Sequence, residues 1–163
     1  MKLSKEDVLA FLPHRDPFLF IDSVDNVTFE DERTWETVSQ DKLDNLTGGT
    51  LFASFFVRPD MDILRGHFPG RPILPGVVQL EMMAQASCFF MHEYLRQKNI
   101  TKFEVALLGI EKAKFRKPVV PNMQLKIQSH LTKVRGTMMT FDTKLLCEEQ
   151  MISECSLMAG YKA

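Results

Sequence analysis

The sequence predicts an α+β fold in which one curved antiparallel sheet surrounds one buried helix. The segment from Val77 to about Lys98 contains no Pro or Gly, and its apolar residues point in nearly every direction around a helix, as in a buried one. At ~1.5 Å per residue, this helix would run roughly 33 Å. Four later stretches alternate apolar and polar residues, the period of half-buried strands. Their short connections favour antiparallel pairing.

Capping and turn signals predict the elements that precede this helix. Ser4 and Asp7 resemble a capping box and indicate a short helix that ends before Pro13. The further expected elements are a strand at residues 18–29, an extra strand at 34–38, a strand at 50–57 and an ordered loop rich in Pro and Gly at 65–76.

Length and composition predict a single domain over residues 1–163, long enough to bury a core without disulfides or a structural metal. The three cysteines are an odd number and form no C-x-x-C pair, so neither a disulfide framework nor a zinc site is indicated. A net charge of -1 gives no global attraction to nucleic acid. Neither a signal-peptide pattern nor a run of eighteen apolar residues is found, so we expect a cytoplasmic protein without a membrane span.

Glu81 is a carboxylate in the middle of the apolar helix. Burying an unpaired charge costs several kcal/mol in practice, so we expect Glu81 to be protonated, as a general acid must be. Gln85 lies one turn later on the same face and could hydrogen-bond the carboxyl. The alternative, that Glu81 reaches the surface or pairs with a structural Arg, has equal weight from periodicity alone.

The loop before the helix supplies a candidate base and a candidate anion site. His67 lies in G-H-F-P-G, a loop rigid enough to orient an imidazole, although a lone His is more often structural. Pro75 and Gly76 open the helix, which leaves the amides of Gly76 and Val77 as unpaired donors at its positive end. Residues 67–82 thus contain a candidate base, candidate oxyanion donors and a candidate acid. These are the groups needed to remove a proton alpha to a thioester carbonyl and to expel a beta hydroxyl.

The same stretch is similar to a known family. G-H-F-P-G-R-P-I-L-P-G-V-V-Q-L-E-M-M-A-Q resembles the signature of the FabZ-type 3-hydroxyacyl-(acyl-carrier-protein) dehydratases, and L-P-H-R and G-I-E-K-A-K-F extend the similarity over most of the chain. The resemblance implies a hot-dog fold and dehydration of 3-hydroxyacyl carrier protein to the trans-2-enoyl product in fatty acid or related acyl biosynthesis. His67 would be the base and Glu81 the acid. No cofactor is expected, because water leaves and no electrons are exchanged. No metal is expected either, because His14, His92 and His130 are scattered without metal-ligand spacing.

The family also implies partners. Two subunits would share each site, with His67 of one chain facing Glu81 of the other, and assembly into a trimer of dimers is left open. An acidic carrier protein would dock on a basic row that alternates with inward Ala113 and Phe115, although such a row is more often only a solvated face. The docking candidates are Lys112, Lys114, Arg116 and Lys117. The candidates for lining an acyl channel are Met83, Phe89, Phe90, Met138 and Met139.

The sequence departs from the family at two places, and two other functions compete. Asp16 stands where the family usually has Tyr, and the stretch between Phe29 and Thr50 is longer than usual. His14 is interpreted as structural and Cys88 as a packed thiol. A hot-dog acyl thioesterase would release free acid, and a non-catalytic acyl-binding subunit would bind acyl chains without turnover.

Overall fold

The computed structural model describes residues 1–162 and contains one six-stranded antiparallel sheet in the order β1-β2-β4-β5-β6-β3. The strands are β1 Ser23–Phe29, β2 Gly49–Phe56, β3 Glu104–Phe115, β4 Gln124–Arg135, β5 Met138–Cys147 and β6 Gln150–Lys162. The α-helices are α1 Lys5–Phe11, α2 Asp62–Gly66, α3 Gly76–Ser87 and α4 His92–Gln97, and 3-10 turns span Leu43–Leu46 and Cys88–Met91. The predicted α+β architecture, a curved antiparallel sheet with a central helix, is confirmed.

Helix α3 packs its apolar residues against β2, β4, β5 and β6. Val78, Met82 and Met83 are buried in the core that this packing forms. On the other side of the helix Val77 is 73% exposed, and the neighbours that follow it on this face are only partly covered. The sequence predicts a helix that is buried on all sides. Within one chain, α3 instead has one open face.

The helix predicted from Val77 to about Lys98 is interrupted. Helix α3 ends at Ser87, and a 3-10 turn leads into α4. The Ser87 hydroxyl donates to Met83 O at 2.8 Å, and the Cys88 thiol donates to Ala84 O at 3.4 Å. Side chains that bond carbonyls one turn back bend a helix, which accounts for the break.

Two of the strands predicted near the N-terminus differ from the structure. The first begins at Ser23 rather than Phe18, because the backbone of Phe18 and Phe20 bonds the Gln85 carboxamide instead of a neighbouring strand. Residues 34–38 form a turn, in which the Val38 amide donates to Thr34 O at 2.9 Å. The capping box of Ser4 and Asp7 before α1 is confirmed.

The long stretch between Phe29 and Thr50 folds onto the core. Trp35, Leu43 and Leu46 are buried there. The Arg33 guanidinium fixes the stretch at its far end by donating to the carbonyls of Asn45 and Thr47, at 2.9 and 3.1 Å.

Strand β3 is an edge strand and is exposed along nearly its whole length within one chain. The sequence predicts a half-buried strand here, which is wrong for the single chain. The register with β6 also shifts between Glu111 and Lys114, and Lys112 has a φ of 54°. This bulge interrupts the simple alternation expected for the basic row, and Phe115 remains half exposed.

Candidate active site

His67 lies just after α2, in the loop that leads to α3. Its Nδ1 is 2.8 Å from Ile73 O, and the Ile73 amide donates back to His67 O at 2.7 Å. A carbonyl only accepts hydrogen bonds, so Nδ1 carries the proton in this contact. In the neutral form of the ring, the Nε2 atom then has the lone pair that a general base needs.

The first turn of α3 lies in the same cavity as His67. This cavity has a volume of about 370 Å³. The amides of Val78 and Gln79 donate to Pro75 O, whereas those of Gly76 and Val77 are the first two of the helix and have no carbonyl one turn earlier to accept them. A Cβ on Gly76 would lie 2.9 Å from the Phe115 ring. A side chain at position 76 would therefore require the half-exposed Phe115 ring to shift.

Glu81 occupies a different environment from the one predicted. Its side chain is 25% exposed within one chain, so it is not embedded in the apolar interior. The predicted hydrogen bond from Gln85 Nε2 to Glu81 Oε1 is present at 2.9 Å. His14 Nε2 lies 3.4 Å from the same oxygen. The carboxyl is thus held by one residue of its own helix and one of the N-terminal loop.

His67 and Glu81 lie on opposite sides of α3. The His67 cavity touches the helix at Gly76 and Gln79. At about 100° per residue, Gln79 and Glu81 point about 160° apart around the helix axis. The candidate base and the candidate acid of one chain therefore do not meet around a single substrate.

The face of α3 that carries Glu81 continues into a narrow apolar cleft under the sheet, with about 10 Å³ of free space. Of the predicted channel residues Met139 lines this cleft, Met83, Phe89 and Phe90 are completely buried core, and Met138 is on the surface. Burial, with Glu81 as a second cause, raises the pKa of the Cys88 thiol to about 12. A protonated thiol is a poor nucleophile, which agrees with the interpretation of Cys88 as a packed residue.

The four basic docking candidates do not form one free row. Arg116 is bound to Glu154, and the Lys117 ammonium donates to Gln150. Lys114 lies opposite Glu154 in the register of β3 and β6, and Lys112 is at the bulge. Arg116 and Lys117 also line the His67 cavity, so positive charge stands at its edge.

Within residues 1–162, no three His, Cys, Asp or Glu side chains come together as potential metal ligands. No helix in this part of the chain has the length and hydropathy to cross a bilayer.

A family model described as "FabA-like domain" matches residues 12–156, which include His67, Gly76 and Glu81. The chain belongs to the FabA-like domain family. The match also includes His14, which faces Glu81 in the structure.

Relatives of this FabA-like chain include a 3-hydroxyacyl-(acyl-carrier-protein) dehydratase FabZ from Anaeromyxobacter dehalogenans, 34% identical over 93% of this chain and 86% of the relative. Another, from Erythrobacter litoralis, is 35% identical over 94% of this chain and 89% of the relative. A bifunctional enzyme LpxC/FabZ from Chlorobaculum tepidum is 38% identical over 91% of this chain, which spans only 27% of that longer protein.

Solved structures with the same fold include the dehydratase heterocomplex ApeI:P from Xenorhabdus doucetiae, with a TM-score of 0.70 and 18% identity over 96% of this chain and 91% of that chain. The fluoroacetyl-CoA thioesterase FlK has a TM-score of 0.60 and 13% identity over 71% of this chain and 87% of that chain. At these identities the likeness shows the hot-dog fold of the FabA-like chain.

His14 is expected to be structural, and its imidazole is the side chain that approaches Glu81 from the N-terminal loop. The sequence analysis of this FabA-like chain did not predict that contact. The signal that could have identified it is the L-P-H-R motif, which lies far from the signature but belongs to the same family resemblance.

Proposed function

We propose that this protein dehydrates 3-hydroxyacyl thioesters of acyl carrier protein to trans-2-enoyl thioesters, as the printed names of its FabZ relatives describe for those enzymes. The observation that carries the proposal is the cavity shared by His67 and the N-terminus of α3. It combines an imidazole whose Nε2 is free with backbone donors for an oxyanion.

In the proposed reaction, His67 Nε2 takes the proton from the α-carbon of the substrate. The electron pair of that C–H bond forms the Cα=Cβ double bond as the Cβ–O bond breaks. The amide of Gly76 stabilises the negative charge that grows on the thioester oxygen. Glu81 of the partner subunit gives its proton to the departing hydroxyl, which leaves as water. Acid–base assistance contributes about 10²- to 10⁴-fold, and an oxyanion donor about 10²- to 10³-fold.

We further propose that the site is completed by a second copy of the chain, so that His67 faces Glu81 of the partner subunit. Two features support this. Strand β3 is an open sheet edge with exposed Leu107, Leu108 and Ile110, and the Val77 side of α3 is uncovered next to Glu81. A second chain that pairs along β3 would bury both surfaces and bring the opposite faces of two α3 helices together.

The acyl chain would enter the apolar cleft beyond Glu81. The cleft has no more free space than one water needs, so side chains along it must move for an acyl chain to enter. Three cysteines without a disulfide suit a reducing compartment, and we propose that the protein acts in the cytoplasm.

The product decides between dehydration and the competing functions. Incubation of the purified protein with a 3-hydroxyacyl carrier protein is expected to give the enoyl carrier, detected by mass spectrometry as loss of one water. Release of free 3-hydroxy acid would identify a thioesterase instead. Binding of the acyl carrier with neither product would identify a non-catalytic acyl-binding subunit.

Carrier docking is expected to use Lys112 and Lys114 more than the paired Arg116 and Lys117. Charge reversal of both, Lys112→Glu with Lys114→Glu, is expected to raise KM for a carrier-bound substrate by about tenfold at low salt, because a rim charge acts on encounter with an acidic partner. KM for a short thioester without carrier protein should be unchanged.

The matched control reverses two exposed lysines on other strands, Lys133→Glu with Lys144→Glu, and so changes the net charge equally. Equal effects of the two pairs would remove the proposed docking surface.

A further inference from the structure

Gln79 is a buried amide that connects three parts of the fold beside His67. Its side chain is 3% exposed and lines the His67 cavity. The hydroxyl of Ser153, fully buried in β6, donates to Gln79 Oε1 at 2.8 Å. Gln79 Nε2 in turn donates to Leu74 O at 3.4 Å. The amide therefore joins α3 and β6 to the end of the His67 loop.

The carbonyl that Gln79 binds is adjacent to the one that orients the imidazole. Ile73 O accepts the proton of His67 Nδ1, and Leu74 is the next residue. The Leu74 amide donates to Val119 O at 2.8 Å. Ile73 O and the Leu74 amide belong to one rigid peptide group, and Leu74 O belongs to the next group, which is joined to it at Leu74 Cα. The two hydrogen bonds, one at each group, together restrict the rotation at residue 74 by which Ile73 O could turn. The angle of the imidazole thus depends on how firmly residue 74 is held.

Core packing alone does not require a polar pair at this point. A leucine has nearly the volume of the Gln79 side chain, and replacing both partners of a buried hydrogen bond by apolar groups of similar shape is often nearly neutral for stability. What an apolar pair does not supply is the bond to Leu74 O. The Gln79–Ser153 pair therefore differs from a leucine–alanine pair in one respect, which is that it holds Leu74 O in a fixed direction.

We propose that Gln79 is a positioning residue, which acts with Ser153 through Leu74 to hold His67 at the angle for removal of the α-proton. The inference rests on the dehydratase function proposed above. Gln79 does not exchange a proton with the substrate in this scheme. It restricts the motion of the His67 imidazole, and small displacements of a catalytic group lower the reaction rate strongly.

The test is the double variant Gln79→Leu/Ser153→Ala, which removes both members of the buried pair and leaves only Leu74 O without its donor, so it is expected to fold. We expect kcat to fall by about 10- to 100-fold with KM within about twofold of the wild type. Long-range ¹H–¹⁵N correlation of the His67 ring should show the Nδ1-protonated form in the wild type and a mixture of the two neutral tautomers in the variant. Ser153→Ala alone retains the bond to Leu74 O and should have an intermediate kcat.

Ser129→Ala is the matched control. Ser129 is likewise a fully buried strand serine, and its hydroxyl lies 2.7 Å from that of Ser87 in α3, but this pair does not touch the His67 loop. The control should keep the wild-type kcat and imidazole spectrum. Equal losses in both variants would reduce the Gln79 pair to a general structural role and overturn the proposal, as would an unchanged kcat and spectrum in the folded double variant.

The imidazole spectrum needs no turnover, so the two levels of inference fail separately. An inactive wild type whose His67 ring still responds to the double variant would overturn the dehydratase function and support the positioning role. An active wild type whose His67 ring spectrum is the same in the double variant would support the dehydratase function and overturn the positioning role.

Discussion

His67→Ala and Glu81→Gln are each expected to lower kcat by about 10²- to 10⁴-fold, the usual contribution of a positioned general base or acid. Alanine removes the Nε2 lone pair that accepts the α-proton. Glutamine keeps the size of Glu81 and can still accept the hydrogen bond from Gln85, but it has no acidic proton for the leaving hydroxyl. The reaction is readily followed in reverse, as hydration of an enoyl thioester of carrier protein, by the loss of ultraviolet absorbance.

The controls are a histidine and a glutamate outside the site. His130 is bonded to Thr50 across β2 and β4, and Glu148 is exposed in the turn between β5 and β6. His130→Ala and Glu148→Gln should retain most of the wild-type kcat. A folded His67→Ala enzyme that works within a few-fold of the wild type would rule out His67 as the base.

Mixing the two inactive variants is expected to restore activity. After subunit exchange, half of the dimers would contain one chain of each kind, and each of these would have one site with both His67 and Glu81 intact. About one quarter of all sites would then be functional, so the mixture should recover about 25% of the wild-type rate. Recovery is expected because the His67 loop and the Glu81 side chain lie on opposite sides of α3, so that one chain cannot supply both to one site.

The reciprocal mixture gives the opposite result and serves as control. Wild type mixed with the double variant His67→Ala/Glu81→Gln should fall from about half to about one quarter of the wild-type rate as subunits exchange, because each mixed dimer would lose both sites. If each chain carried a complete site of its own, the first mixture would stay inactive and the second would stay at about half.

Local sequence signals predicted much of the fold. The capping box of Ser4 and Asp7, the alternating strands β4 to β6 and the helix that starts at Gly76 follow from interactions within a few residues. The break of the helix at Ser87 did not follow, because Ser is compatible with a helix and bends it only when its hydroxyl turns back to a carbonyl.

The environment of Glu81 depends on contacts distant in sequence. Periodicity placed Gln85 beside it correctly, since both are on one helix. The approach of His14 depends on how the N-terminal loop packs across α3, and the Gln85 carboxamide fixes that packing by bonding Phe18 and Phe20. Likewise, the alternation in β3 correctly indicates a strand, but its position at the edge of the sheet depends on the order of all six strands, which the local pattern does not contain.

The open edge of β3 has a consequence for any copy of the chain that is not paired along it. A newly synthesised copy presents a twelve-residue strand with one side of its backbone free and with apolar side chains beside it. Such an edge can recruit any extended segment nearby, so an unassembled chain is prone to aggregate during biosynthesis. Substitutions that prevent pairing along β3 should therefore give inclusion bodies in place of soluble monomers, and a low yield from such variants reports on assembly and not on chemistry.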